Sequence, residues 1–490
     1  MSRDRLFYNQ DGADILGSRP PGELTPADVR AQVDRVAGTQ VTTYLVCVGA
    51  GLMYYPSNLE RAIGCLRPGQ RRGVPALLTA PALERCAGNL RALADQRTDV
   101  VSLALARARE DGMRAFISMR LNDLHFADTS TYQPAGQGDF WLEHPHFWMG
   151  SYPGWHADGA LNFAYRRVRQ YKLELLRECC TRFRPDGVEL DFMRFPVYFP
   201  FGRGRQYLDR MTDFVRRARE LAGNAALIVR LPPRLSACNY LGLDPLRWVH
   251  EGLIDGITLA PFHTTDPLIP VDTFRHALGS PEIPIAAGVD TGLYHQRQPM
   301  SHGHFRGVAQ QAMDAGADAV YLFNFRPDSF EAAAGDEAAW GPNRALLKEL
   351  GSLETLRGRN AVFSLGEALS EYEIPHNSPL PRLLPVTLPF RLPRNLAAAE
   401  RARLVLRVHP QGAPLAGAWN DHALVTEADD AAELNLQRCR GVEVRSCMLP
   451  GDVLQPGMNE LHLTADGGDA HLLRVELHVR FGPVATCGYF

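Results

Sequence analysis

Eight short apolar segments recur through residues 1–355 of this 490-residue chain, and a stretch with helical patterning separates each from the next. They are residues 5–10, 40–48, 113–119, 188–192, 225–231, 255–259, 283–289 and 317–323. Runs of this length, rich in β-branched and aromatic residues, read as strands, and strands that alternate with helices read as parallel βαβ units. Eight such units imply a closed (β/α)8 TIM barrel in an α/β fold. A doubly wound open sheet is the runner-up, but no Gly-rich phosphate loop follows the first strand. Thr25-Pro26-Ala27-Asp28 supplies a helix start, with Thr25 as N-cap and Pro26 in the first turn.

The barrel domain is expected over 1–355, enlarged by insertions near 49–110 and 126–160. Prolines cluster through 375–393, so 356–384 reads as a linker. From 385 to 490 the runs are short and strand-like (384–390, 403–408, 442–448, 460–463 and 472–481), which predicts a small antiparallel β-sandwich.

Charge and cysteine usage narrow the partners. A net charge of −3, from 52 basic and 55 acidic residues, offers no basic stripe for nucleic acid. No apolar run is long enough for a membrane span. The first residues carry no apolar signal core, so the expected location is cytoplasmic, or secreted with the signal already removed. The nine cysteines are odd in number and show no CxxC or His/Cys ligand spacing. Reduced core thiols are expected, although a Cys439–Cys447 bridge is conceivable on spacing. No cofactor and no metal site are indicated, and nothing speaks to oligomeric state.

The chemistry concentrates at the strand ends, where barrel enzymes keep their sites. In Asp186-Gly-Val-Glu-Leu-Asp-Phe-Met-Arg-Phe-Pro196 the period of two puts Glu189 and Asp191 on one face of an otherwise apolar strand. Two carboxylates there are costly without partners or a purpose. The plain alternative is an acid that caps a neighbouring loop or pairs with Arg194. Other strand ends supply Asn9, Asp11, Arg120, Asn122, Asp123, His125, Arg230, His263, Asp290 and Asn324. Trp148 and Trp155, in an aromatic loop, suit the C–H faces of sugar rings as a ligand wall, or else pin the loop to the barrel. The ring lacks a nucleophile elbow, a Schiff-base lysine and a phosphate cradle. Its carboxylates and hydrogen-bond donors suit a polyol, and paired carboxyls suit glycosidic cleavage. Asp191 is the leading nucleophile or base. Glu189 is a proton donor or an orienting group, and Asp290 a second acid across the mouth. Asp266 is weaker, because Thr264-Thr-Asp-Pro267 also reads as a turn.

With these residues in view, the chain resembles the glycosyl-hydrolase-like TIM-barrel families. They carry an Asp-Gly-(apolar)-x-(apolar)-Asp-x-x-Arg-(Phe/Tyr)-Pro block on strand four, matched here in full by residues 186–196. The resemblance spans roughly residues 110–330, including His144-Pro145 and Trp148. It implies a carbohydrate-active barrel with Asp191 in its site; Glu189 is a departure at a variable position. The C-terminal region resembles the jelly-roll modules that accompany such barrels, through the turn Leu454-Gln-Pro-Gly-Met-Asn459. The expected function is a glycoside hydrolase acting on O-glycosyl bonds of a carbohydrate substrate, in carbohydrate metabolism or polysaccharide degradation. Two alternatives stay open: a metal-dependent hydrolase or isomerase on the same barrel, and a non-catalytic glycan-binding barrel.

Overall fold

The computed structural model describes residues 6–63, 81–125, 127, 136–152, 157–262, 265–290, 292–293, 298–323, 325, 343–365, 382–409, 415–428, 443–465 and 470–482. Eight parallel strands form a closed barrel: β1 Leu6–Gln10, β2 Val41–Cys47, β3 Arg114–Arg120, β4 Gly187–Asp191, β5 Ala226–Leu231, β6 Gly256–Leu259, β7 Ile285–Val289 and β8 Ala319–Phe323. Each pairs with its sequence neighbours, and β1 closes the ring against β8 with Asn9 opposite Phe323. Each of the eight segments expected to be a barrel strand is one, shifted by no more than two residues at either end. The helix start at Thr25 forms a capping box, because Asp28 reaches back to the Thr25 backbone N–H.

Register places the inward side chains in layers. Partners in a parallel pair share a face, so Arg120, Asp191 and Arg230 form one row, and Ser118, Glu189 and Ile228 the row beneath. Deeper still lie Phe116, Gly187 and Ala226. Phe7, Leu45, Phe116, Ile228, Ala286 and Ala319 fill the barrel floor with apolar side chains. Gly187 is needed there, because a Cβ on it would lie only 2.2 Å from the edge of the Phe116 ring. Gly187→Ala is therefore expected to overpack the floor and cost about 1–3 kcal/mol in urea unfolding. An unchanged midpoint and slope would show that the ring has room to retreat.

The strand-four block also has a purely architectural half. The helix Arg166–Phe183 ends on Arg184 in the left-handed region. Asp186 then accepts from the Ala115 backbone N–H at 2.8 Å and from Arg109 at 3.1 Å, which clamps the start of β4 to β3.

The C-terminal strands are β9 Ala361–Leu365, β10 Val386–Leu392, β11 Arg401–His409, β12 Leu415–Trp419, β13 Glu443–Pro450, β14 Gly457–Ala465 and β15 His471–Arg480. One antiparallel sheet runs β9-β15-β11-β13 with short edge pieces, the other β10-β14-β12. Leu404, Leu406 and Leu477 of the first sheet share a core with Phe390, Leu461 and Trp419 of the second. β9 lies inside the 356–384 stretch read as a linker, and its Phe363 is fully buried in that core. Asn459 makes the Leu454–Asn459 turn: its amide donates to the Gln455 carbonyl and accepts from the Gln455 N–H. The six described cysteines are free thiols, Cys447 among them, and Cys439 lies outside the described residues. Among the described residues no helix is long and apolar enough to cross a membrane.

The helix His302–Asp314 packs its N-terminal half on β9 so closely that a Cβ at Gly307 would strike the Val362 carbonyl. At its start, His304 Nδ1 accepts from the Ser301 N–H, so Nε2 carries the proton and donates to Glu476 of β15 at 2.8 Å. Glu476 also accepts from Arg474 and His478, and all of these side chains are nearly buried. At the far end, Asp314 holds Arg391 and Arg394.

Candidate active site

Asp191 ends β4 and caps the turn that follows it. Its Oδ1 accepts from the Met193 N–H at 2.8 Å and the Arg194 N–H at 3.0 Å. Arg230, its partner on β5, donates to Oδ2 at 3.2 Å and to Oδ1 at 3.4 Å, and both side chains are buried. Four donor contacts suit a charged carboxylate. The turn forces Phe195 to a φ of 59°, a strained value for a residue with a side chain, and swings Arg194 back across the mouth.

Glu189 lies about 7 Å deeper on the same face, two residues along the strand. Its Oε1 accepts from Ser118 Oγ at 2.7 Å, Tyr321 OH at 2.8 Å and Asn9 Nδ2 at 3.3 Å. Its Oε2 is buried without a hydrogen-bond partner. Burial, and then the charge of Asp191, push the Glu189 carboxyl up to about 7. Asn9 thus serves the inner carboxyl, and it donates to Tyr321 as well.

A second chain of charges crosses the mouth. Arg120 donates to Asp11 at 2.7 Å and to Asp123 at 3.3 Å. Asp11 also N-caps the helix Gly12–Gly17. Asp123 accepts from His125 Nδ1 at 2.6 Å, while His125 Nε2 faces Arg194 Nη2 at 3.1 Å. A guanidinium only donates, so Nε2 accepts and the imidazole proton sits on Nδ1, toward Asp123. Burial raises the Asp123 carboxyl, yet His125 and Arg120 beside it outweigh that and hold it well below the usual carboxylate range. Burial and Arg120 push Arg194 down to about 10, still a cation at neutral pH. His125 is the open member, 38% exposed where Asp123 is 2%.

Asp290 is buried just past β7, and its charge acts on both Arg194 and Arg230. Its backbone is locked to Thr265, whose hydroxyl donates to the Asp290 carbonyl and accepts its N–H. The structure thus brings Asn9, Asp11, Arg120, Asp123, His125, Glu189, Asp191, Arg194, Arg230 and Asp290 to one end of the barrel. Asn122 is nearby but committed elsewhere: its amide donates to the Leu161 and Val197 carbonyls and accepts the Leu161 N–H. Trp148 stacks on Trp141 at 4.0 Å and donates to its carbonyl, so its ring is spent on packing the loop. Neighbouring Phe140 stacks on Tyr171 of the outer helix at 3.9 Å, which pins that loop to the barrel wall. Asp266 accepts from the Leu268 N–H and from Arg234, as a turn acid with an ion-pair partner. Trp155, His263 and Asn324 lie outside the described residues.

Sequence reasoning passed over Ser118, Tyr321 and three aromatics. Phe323 lies under the Arg230 guanidinium at 4.0 Å, and Phe195 packs on both Phe262 and His125. The signal was present: Ser118 and Tyr321 have the inward parity of Arg120 and Phe323 on their own strands. Among the described residues no group of three His, Cys, Asp or Glu side chains is placed to hold a metal ion.

No family model and no curated protein matches this chain. Solved structures similar to it include the PgaB (BpsB) glycoside hydrolase domain from Bordetella bronchiseptica, at TM-score 0.43 and 11% identity over 71% of this chain and 99% of that one. An Anoxybacillus alpha-amylase aligns at TM-score 0.41 and 9% identity over 96% of this chain and 99% of that one. The alpha-amylase GTA from Geobacillus thermoleovorans, complexed with acarbose, aligns at 0.41 and 12% over 95% and 100%.

Proposed function

We propose that this chain is a glycoside hydrolase that cleaves a glycosidic bond of a carbohydrate substrate at the C-terminal mouth of its barrel. One observation carries the reading. Asp191, tied to Arg230 and to two backbone N–H groups, stands directly above a second carboxyl, Glu189, which burial and the Asp191 charge push up to about 7. Carboxyls whose environments differ in this way divide into a charged partner and a proton-bearing one. Asp191 is the charged group, acting as nucleophile or as base. For the second carboxyl we favour Asp290 over Glu189, which lies one layer below Asp191. Arg120, Asp123, His125 and Arg194 offer donors and acceptors around the mouth that suit sugar hydroxyls.

The test is a screen of aryl glycosides and oligosaccharides with wild type, Asp191→Asn and EDTA-treated protein in parallel. Turnover that Asp191→Asn abolishes and EDTA leaves intact is the expected result. Proton NMR of the first-formed anomer then assigns the role of Asp191: retention makes it the nucleophile, inversion the base. Activity lost on EDTA treatment would replace this reading with metal-assisted chemistry.

A further inference from the structure

Glu189 occupies a place that a group contacting substrate would not. It is fully buried, one layer below Asp191, with the apolar floor of Phe116 and Ile228 next to it. It has no exposed surface, and the row of Arg120, Asp191 and Arg230 lies between it and the strand ends. Three donors converge on Oε1 and none on Oε2, so a proton on this carboxyl belongs on Oε2. The groups that act on it are Asp191 on its own strand, Arg230 from β5, Tyr321 from β8, Ser118 from β3 and Asn9 from β1. Only one of these, Arg230, is a cation, and its hydrogen bonds go to Asp191.

We propose that Glu189 is a positioning residue: by keeping its proton it leaves Arg230 committed to Asp191, and it does not itself meet the substrate. The balance is simple. On ionisation the Oε2 proton leaves to solvent, a second anion appears beside one guanidinium, and Arg230 is shared between two carboxylates. Asp191 then loses the contact that orients it. Proton donation to the leaving oxygen falls to another group at the mouth, and Asp290, a buried carboxyl whose charge acts on Arg194 and Arg230, is the candidate. The kinetic half of this inference rests on the glycosidase reading, but the proton itself is observable without turnover.

The experiment is infrared difference spectroscopy of the protonated-carboxyl stretch, wild type against Glu189→Gln, from pH 5 to 9. The expected band is present at pH 5, fades through neutrality and is missing in Glu189→Gln. In Tyr321→Phe, which removes one donor to the charged form, the fade should move up by about one pH unit. The wild-type kcat/KM should fall with the same midpoint, and that alkaline limb should vanish from the Glu189→Gln profile whatever its absolute rate. Two results would overturn the proposal. One is a carboxyl already ionised at pH 5. The other is a Glu189→Gln loss above 100-fold on poor leaving groups but slight on activated aryl groups, the mark of the acid that protonates the leaving oxygen. A titrating band in a protein that turns over no glycoside would uphold the proton and strike down the glycosidase reading alone.

Discussion

Asp191→Asn is expected to lower glycoside turnover on the order of 10⁴-fold, through kcat rather than KM, as loss of a group that acts in the reaction itself does. The amide keeps the shape of the carboxyl, and its oxygen still accepts from the Met193 and Arg194 N–H groups, so the turn after β4 survives. What disappears is the charge against Arg230, whose guanidinium is only 2% exposed. An unpaired buried cation of this kind costs about 3–5 kcal/mol when nothing replaces its partner.

Here something does replace it. With Asp191 neutral, Glu189 no longer feels an adjacent anion, so its carboxyl descends from about 7 and ionises toward Arg230. In the wild type the sign runs against stability. The Glu189 carboxyl is raised in the fold, so the folded state holds a proton that the unfolded chain has released. Stability therefore falls as pH rises from 4.5 to about 7, by about 3 kcal/mol at 1.4 kcal/mol per pH unit. In Asp191→Asn this penalty shrinks, so the stability gap to wild type should be widest near pH 5 and narrower at pH 8. Urea unfolding of both proteins at the two pH values measures it. A gap that is flat with pH would show the two carboxyls to be uncoupled, and turnover that survives the substitution would make Asp191 a turn cap with an ion pair.

The strand order and the inward row of charges were legible from the chain because period-two parity is local: Glu189 and Asp191 must share a face wherever β4 goes. The same parity on β3 and β8 carries Ser118 and Tyr321, yet neither stood out in sequence, since a serine and a tyrosine in an apolar run look like filler. Long-range polar commitments left no such trace. Asn122 lies at the same strand end as Arg120, but its amide is consumed by backbone at residues 161 and 197, which only the fold brings together. The aromatic loop looked like a sugar platform because stacking on a ligand and stacking on Tyr171 ask for the same side chains. Strand β9 was hidden for another reason: its five residues precede a proline-rich stretch, and its partner strand lies more than 100 residues away.

That distant partner, β15, carries the side chain on which the second large effect is expected. Glu476→Gln should destabilise the protein by about 3–5 kcal/mol, although Glu476 lies far from the mouth in sequence and in role. Its carboxylate is the acceptor for Arg474, His304 and His478 at the seam between the helix His302–Asp314 and the β9–β15 face. Arg474 takes up the negative charge, so the two imidazoles donate as neutral rings. His304 is further bound to neutrality by the Ser301 N–H on its Nδ1. Burial, with Arg403 and Arg474 nearby, pushes His478 down to about 3, and burial and Arg474 hold His304 well below its usual range. A glutamine cannot neutralise Arg474, and its NH₂ meets either the His304 or the His478 donor head-on. By contrast Arg391→Ala, which removes a half-exposed partner of Asp314 on the same helix, should cost under about 1 kcal/mol. The pH dependence separates this seam from the barrel. Both histidines are depressed in the fold, so the unfolded chain takes up protons first, and stability is lost as pH falls below 6.5 toward 3. For His478 alone the loss between pH 7 and 5 is about 2 kcal/mol, opposite in sign to the Glu189 contribution over the same range. Thermal and urea unfolding of wild type, Glu476→Gln and His478→Gln at pH 5 and 7 resolve the two. A Glu476→Gln protein within 1 kcal/mol of wild type would mean that Arg474 finds water or another anion, and that apolar packing of Gly307 on Val362 holds the seam by itself.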